Sequence, residues 1–193
     1  MRTTIEVKVV TGKDGRKKFV DLLWDLYDQK KYPKWVPPLR LSVLEALDTE
    51  NNPFYKRAQI ELFIAYKNGE AVGRIAAIQN DGHNEFHNEK IGFYGFFECI
   101  DDQEVANSLF SAAEKWIKAR GLTAMRGPMN PSTNHECGLL VRGQSQHPTL
   151  MTTWNPKYYE ALHDNAGFKG VQDLVAYIIM TGDGIKLPPK VVD

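Results

Sequence analysis

Residues 5–10, Ile5-Glu6-Val7-Lys8-Val9-Val10, alternate apolar and polar with the period of a strand that has one buried face, and Thr11-Gly12-Lys13-Asp14-Gly15 breaks the pattern. A helix is predicted next, because Phe19, Leu22, Leu23 and Leu26 recur at helical spacing and Val20, Trp24 and Tyr27 widen the stripe. Tyr32-Pro33-Lys34-Trp35-Val36-Pro37-Pro38 cannot continue that helix, since proline lacks an N–H and drives the residue before it toward extended backbone. After this extended linker, Leu39, Leu41, Val43, Leu44 and Leu47 mark a second helix, which Asn51-Asn52-Pro53-Phe54 closes. From Gln59 the period becomes that of a sheet, with Ile60, Leu62, Ile64 and Tyr66 on one face, and Asn68-Gly69 signals a two-residue hairpin turn into a partner strand at 71–78. A polar connecting loop is expected at 80–90, then an internal aromatic strand at 91–100, completing a three-stranded meander.

The clearest helix carries Val105, Leu109, Ala112, Ala113, Trp116 and Ile117 on one stripe and stops at Gly121. Beyond it the pattern predicts a short strand at Ala124-Met125-Arg126, an irregular stretch over 128–147, a strand at Leu150-Met151-Thr152, a short helix over 157–165 and a final strand at 174–180. Loops as long as 128–147 often carry function. The expected organisation is a single domain over 1–180 with a tail or linker at 181–193.

Composition narrows the function classes. With 193 residues, 24 Lys+Arg and 24 Asp+Glu, the chain offers no sequence-wide attraction to nucleic acid or to an anionic membrane. The densest basic runs, Arg16-Lys17-Lys18 and Lys30-Lys31, read as solvated faces, so neither partner is expected. Two cysteines cannot build a disulfide framework, and the chain opens with no charged-then-apolar leader, which together predict a cytoplasmic protein. No apolar run approaches the roughly 20 residues of a membrane helix.

The order of predicted elements resembles the GNAT acyltransferase fold, an α/β (α+β) architecture with a mixed, mostly antiparallel central sheet flanked by helices. Leu109-Phe110, Ala113-Glu114, Trp116 and Gly121 follow the superfamily's central helix, and Ala161-Leu162-His163-Asp164-Asn165-Ala166-Gly167-Phe168 is similar to its short helix entering a Gly-Phe turn. Further strings resemble a poorly characterised bacterial GNAT-like subfamily. These are Trp35-Val36-Pro37-Pro38, Asn52-Pro53-Phe54, Gly73-Arg74-Ile75-Ala76, Arg126-Gly127-Pro128-Met129-Asn130-Pro131-Ser132, Glu136-Cys137-Gly138-Leu139-Leu140 and Asn155-Pro156-Lys157-Tyr158-Tyr159. Members of that subfamily often run to about twice this length with a second similar half, so the tail is expected to mark a natural or cloned truncation.

The resemblance implies N-acyltransfer from acyl-CoA, acetyl-CoA among them, to a small amine by direct attack, with no metal. It puts the pyrophosphate loop at Asp101-Asp102-Gln103-Glu104-Val105-Ala106, flanked by Phe97 and Cys99 on the preceding strand. Glycines and free N–H groups at a positive helix end are the usual chemistry of such a loop. Here only Ala106 conforms, and Asp102 and Glu104 replace glycines. Asp102 reads equally as the cap of an ordinary helix. The resemblance places a general base at Glu98, which reads equally as a solvated carboxylate, and an acid in the short helix, at Tyr159 or at His163, which reads also as an exposed helix histidine. Asn130, Ser132, Asn134 and Glu136 crowd one loop with polar groups able to bind a small acceptor, or to satisfy an irregular backbone. Arg74 within a strand pattern can meet an acidic ligand or a carboxylate neighbour. His135 with Cys137 shows no triad, and His83 with His87 would suit a metal only on a helix. A GNAT-derived binding or interaction module that does no chemistry, and a transferase using a carrier-protein thioester, remain alternatives, and unpaired strand edges make a homodimer an expectation.

Overall fold

A computed structural model describes residues 4–177. Five strands form one sheet in the order β1-β2-β3-β4-β5, with β1 Ile5–Val9, β2 Ala58–Lys67, β3 Glu70–Asn80, β4 Ile91–Cys99 and β5 Ala124–Arg126. The first four pair antiparallel and β5 joins β4 parallel, so the sheet is mixed and mostly antiparallel. Asn68 and Gly69 close the β2–β3 hairpin with φ of 52° and 89°, the left-handed pair that a tight two-residue turn requires.

Helices cover both faces. α1 (Gly12–Leu26) and α2 (Arg40–Ala46) lie over Leu62, Ile64, Ala76, Ile78 and Phe93, so the predicted face of Ile60, Leu62, Ile64 and Tyr66 is the one they cover. On the opposite face α4 (Gln103–Lys118) buries Val105, Leu109, Phe110, Ala113 and Ile117 against Phe63, Ala65, Ile75 and Ala77, joined there by α5 (Tyr158–Asn165).

One irregularity in β4 positions the site. Arg74 pairs with Glu98 and Ala76 with Gly95, so β4 carries one residue more than β3 between those pairs, a β-bulge in which Phe96 takes φ 48°. The extra residue inverts the alternation. Phe93 and Phe96 both pack on the α1 side, while Tyr94, Phe97 and Cys99 pack on the α4 side. Glu98 therefore stands on the same face as Arg74 and α1.

β4 and β5 pair only at Ile91–Ala124, Gly92–Met125 and Phe93–Arg126, and the chain then crosses back over β4. Gly95 permits this crossing, because a Cβ there would lie 1.6 Å from the Met129 carbonyl oxygen. Two short strands, β6 Met129–Asn130 and β7 Glu136–Cys137, fold the following loop on itself.

Three expectations are corrected. Part of the polar stretch 80–90 is a helix, α3 (Asp81–His87), capped by the Asn80 side chain on His83 N and tied to β4 by Asn84, which bonds both N and O of Ile91. It buries so little, Phe86 being 84% exposed, that no apolar stripe announces it. Residues 150–152 form a turn closed by Thr149 and Thr152 rather than a strand. No strand forms at 174–177, where Leu174, Val175 and Tyr177 are exposed, and 178–180 lie outside the described residues. The tail at 181–193 lies outside them as well.

Gly95→Ala is expected to destabilise the protein by about 1–3 kcal/mol in urea unfolding, because the clash is with backbone that has no rotamer to escape into.

Candidate active site

The end of β4 holds a buried polar cluster assembled from four parts of the chain. Glu98 Oε2 accepts hydrogen bonds from the Tyr27 hydroxyl at 2.6 Å and the Tyr159 hydroxyl at 2.8 Å. The Arg74 guanidinium lies 3.7 Å from Glu98 Oε1 and is anchored by donating to the carbonyl oxygens of Phe19 and Val20 in α1. Tyr27 is the residue that ends α1, and Tyr159 sits in the first turn of α5, which reaches β4 where β5 has diverged. Burial raises the Glu98 carboxyl above the usual carboxylate range, against the opposing pull of Arg74 and the two phenols. Burial, and then the Glu98 charge, raises both Tyr27 and Tyr159, so each phenol keeps its proton at neutral pH.

An aromatic wall encloses the Tyr27 side. Trp35 stacks on Tyr27 at 4.9 Å, and Trp154 meets the edges of Tyr27 at 6.0 Å and Tyr32 at 5.8 Å. Tyr27 and its ring neighbours carried no signal as site residues in the sequence, where Tyr27 reads as part of an apolar stripe.

The other expected residues separate into distinct places. His163 is buried among Tyr94, Phe97, Phe110 and Phe168. Its Nδ1 meets the Tyr159 carbonyl oxygen at 2.7 Å and its Nε2 is buried with no hydrogen-bond partner. Burial lowers its pKa, so it is a neutral imidazole at neutral pH rather than an exposed helix histidine. Asn130 accepts the bulge amide of Phe96 at 2.6 Å through its side-chain oxygen. Ser132 is buried and bonded to His135 Nδ1 at 2.9 Å, while Asn134 and Glu136 are exposed on the loop surface. Cys99 is buried, its N–H donating to Tyr159 Oη at 2.9 Å and its carbonyl accepting from Tyr158 at 2.7 Å. On the edge of β4 past Phe93, the Phe96 amide and the amide and carbonyl of Cys99 are thus satisfied by Asn130, Tyr159 and Tyr158.

At the start of α4, Asp102 is the cap. Its Oδ1 accepts from Glu104 N at 2.9 Å and Val105 N at 3.2 Å, and its Oδ2 pairs with Lys67, which lowers the pKa of the carboxyl. Gln103 bridges to the Leu162 carbonyl at 3.0 Å, joining α4 to α5, and Ala106 is buried beneath. His83 and His87 do share a helix, with rings 4.3 Å apart, but His83 is engaged by Glu89 at 3.1 Å. Among the described residues no group of three or more His, Cys, Asp or Glu side chains is placed to hold a metal ion.

Comparison with solved structures identifies the architecture. An aminoglycoside acetyltransferase from an uncultured soil metagenomic sample, in complex with sisomicin, superimposes with a TM-score of 0.51 and 10% identity, over 93% of this chain and 97% of that one. The chain has the GNAT acyltransferase fold. An aminoglycoside N-acetyltransferase in complex with CoA matches this GNAT chain with the same TM-score of 0.51 and 13% identity, over 94% and 98% of the two chains. By sequence, a bacterial ceramide synthase of Caulobacter vibrioides is 38% identical over 148 residues, 76% of this chain and 38% of its own length. Protein YghO of Escherichia coli is 32% identical over 177 residues, 92% of this chain and 45% of its own. The chain thus spans less than half the length of these curated relatives. No protein-family model matches it.

The GNAT fold implies a CoA pyrophosphate at the start of α4, and residues 101–106 do not fit one. The first-turn amides of Glu104 and Val105 already serve a carboxylate of this chain, whose charge Lys67 neutralises, and Asp101 and Glu104 add exposed negative charge beside it. Millimolar acetyl-CoA is therefore expected to leave the thermal unfolding of the chain unchanged. Ligand at about a hundred times its Kd would add about 2.7 kcal/mol and move the transition by degrees.

His163 generates a second expectation. Its folded-state pKa is lowered, so the unfolded chain binds the proton more readily, and stability is lost as pH falls below the unfolded value of about 6.5. His163→Phe should lose less melting temperature than the wild type between about pH 7.5 and about pH 5.5 in a calorimetric comparison.

Proposed function

We propose that the chain is an N-acyltransferase module of GNAT fold, with Glu98 as general base and Tyr159 as general acid. The observation that carries this reading is a desolvated carboxylate with raised pKa held at the end of β4 by two phenols. A base of that kind is poised to take the proton that an acceptor amine sheds as it attacks a carbonyl carbon. The amine attacks the thioester carbonyl directly, its nitrogen giving a proton to Glu98 as the C–N bond forms, and the tetrahedral adduct breaks its C–S bond and expels a thiolate. Tyr159 gives its proton to that thiolate while the proton taken by Glu98 returns to Tyr159 along their 2.8 Å hydrogen bond. The coupling matters, because a phenol with a raised pKa would not surrender its proton to a thiolate of pKa about 8.5 on its own. Tyr27 and Arg74 hold the carboxylate in register, and His163, neutral and boxed in by rings, supports α5 rather than carrying a proton.

The polar loop of Asn130, Ser132, Asn134 and Glu136 is left with Asn130 as a brace on the bulge amide in this reading. Because residues 101–106 do not suit a pyrophosphate, a donor thioester that does not anchor by a CoA nucleotide, such as one on a carrier protein, fits better than acyl-CoA. For the acceptor, the relative named a ceramide synthase points to a long-chain amino alcohol, since a ceramide is the amide of one; a small amine is the other class.

A second reading has its own support. The satisfied backbone groups of Phe96 and Cys99 on the β4 edge and the capped start of α4 favour a GNAT-derived module that binds a ligand or partner without chemistry.

The test is thiol release from an acyl-carrier-protein thioester with each amine class in turn. Glu98→Gln should lower kcat by about a hundredfold or more, measured at a temperature where circular dichroism shows the variant folded, since Arg74 loses its buried partner. The acid limb of the wild-type rate profile should lie above the ordinary carboxylate value of about 4.3, since Glu98 must be ionised to act. Arg74→Met, by removing the cation that lowers the carboxyl, should move that limb higher still. No release with any donor and amine would favour the second reading.

A further inference from the structure

Two segments that lie over the Tyr27 end of the site expose an unusual share of apolar surface. Residues 28–42, the linker and the start of α2, meet residues 140–154 through Trp154, which packs on Tyr27 and Tyr32, and through Lys34, whose Nζ is 3.5 Å from His147 Nε2. Between them they expose Val36, Leu39, Leu41, Val141, Leu150 and Met151, six of the twelve large apolar side chains exposed among the described residues. Leu39 is 75% and Leu150 92% exposed, the latter at the tip of the 149–152 turn. Both side chains lie largely in solvent.

The same segments are strongly cationic in a chain of zero net charge. They hold Lys30, Lys31, Lys34, Arg40 and Arg142 against Asp28 as their one acidic residue. Arg40 is paired with Asp21 at 2.9 Å, but Lys30, Lys31, Lys34 and Arg142 form no ion pair with a carboxylate among the described residues. Behind the tips stand Tyr32, Trp35 and Trp154, aromatic side chains of the kind that settle at a water–hydrocarbon boundary.

We propose that this face docks on the surface of an anionic lipid bilayer. Leu39, Leu41, Leu150 and Met151 enter the headgroup boundary, and the unpaired lysines and Arg142 meet lipid phosphates. Membrane contact of this peripheral kind was not visible in the sequence, because the patch joins segments about a hundred residues apart and Lys30-Lys31 alone is too short to suggest it. No helix among the described residues is long and apolar enough to cross a membrane, and docking requires none. The proposal does not depend on the acyl-transfer reading, since binding is measured without turnover. Together the two would make the acceptor a membrane-resident amphiphilic amine.

Co-sedimentation of the full 193-residue chain with vesicles of phosphatidylcholine alone, and with about a third phosphatidylglycerol, tests it. The chain should bind the anionic vesicles, bind the neutral ones far less, and release several-fold as salt is raised. With each basic residue contributing about fivefold in partition, K30E/K31E/K34E should lower binding by at least about tenfold. L39S/L41S/L150S, which leaves the charge unaltered, should lower it comparably, while V171S/L174S on the other exposed apolar segment should not. All three variants change exposed or half-exposed side chains, and their thermal unfolding should stay close to the wild type. Failure to bind anionic vesicles, or binding that the first two variants do not weaken, would overturn the proposal. So would a dimer in solution that L39S/L41S/L150S dissolves, because a second copy would then be the occupant of the face.

Discussion

The pairing of Glu98 with Arg74 depends on a single extra residue in β4. Without the bulge at Phe96, strict alternation would put Glu98 on the α4 face beside Tyr94, away from Arg74 and Tyr27. With it, a carboxylate and a guanidinium that is 2% exposed share one face, and the backbone carbonyls of α1 hold the guanidinium in place. Removing one partner from such a buried pair typically costs 3–5 kcal/mol, because the survivor is left charged and poorly solvated. The end of α1, the bulge in β4 and the first turn of α5 are thus locked to one another by polar groups, where apolar packing alone would tolerate small shifts. Rigidity of this kind is what the proton transfer proposed for Glu98 would require.

The same strand explains how the two sides of the GNAT cleft differ. Divergence of β5 from β4 leaves backbone groups on the β4 edge that must find partners, and the chain supplies them from its own side chains. Gly95 lets the chain cross β4 closely enough for Asn130 to reach the Phe96 amide. At the start of α4 the positive helix end is satisfied by Asp102 and neutralised by Lys67 from β2. The polar groups around Glu98 are therefore gathered at one end of β4, while the positive end of α4 is occupied by a carboxylate of the chain itself.

Much of the fold was legible because its elements bury one face each. The stripe of α4, the alternation of β2 and the Asn68-Gly69 turn are local patterns whose periods survive in any context. α3 was not legible, since it is held by Asn80 and Asn84 side chains and buries too little to leave a stripe. The strand expected at 150–152, and the described residues 174–177 of the one expected at 174–180, failed for the opposite reason: apolar residues there are exposed, and a short apolar run is a strand only if a partner edge meets it.

At the site the division is sharper. Sequence alone placed a carboxylate at the end of an aromatic strand, a tyrosine in a short helix and an acidic residue able to cap α4, because each sits at a fixed distance from a local pattern. Tertiary structure decided which groups touch. Tyr27 and Arg74 joined Glu98 through long-range contacts spanning 71 and 24 positions of chain, one across the helix layer and one across the β3–β4 ladder. His163 passed from a candidate acid to a buried neutral ring because the surrounding aromatics, not its helix, set its solvation. Local periodicity fixes which face of an element is apolar, but a bulge, a crossing and a desolvated charge are properties of neighbours that meet only when the chain has folded.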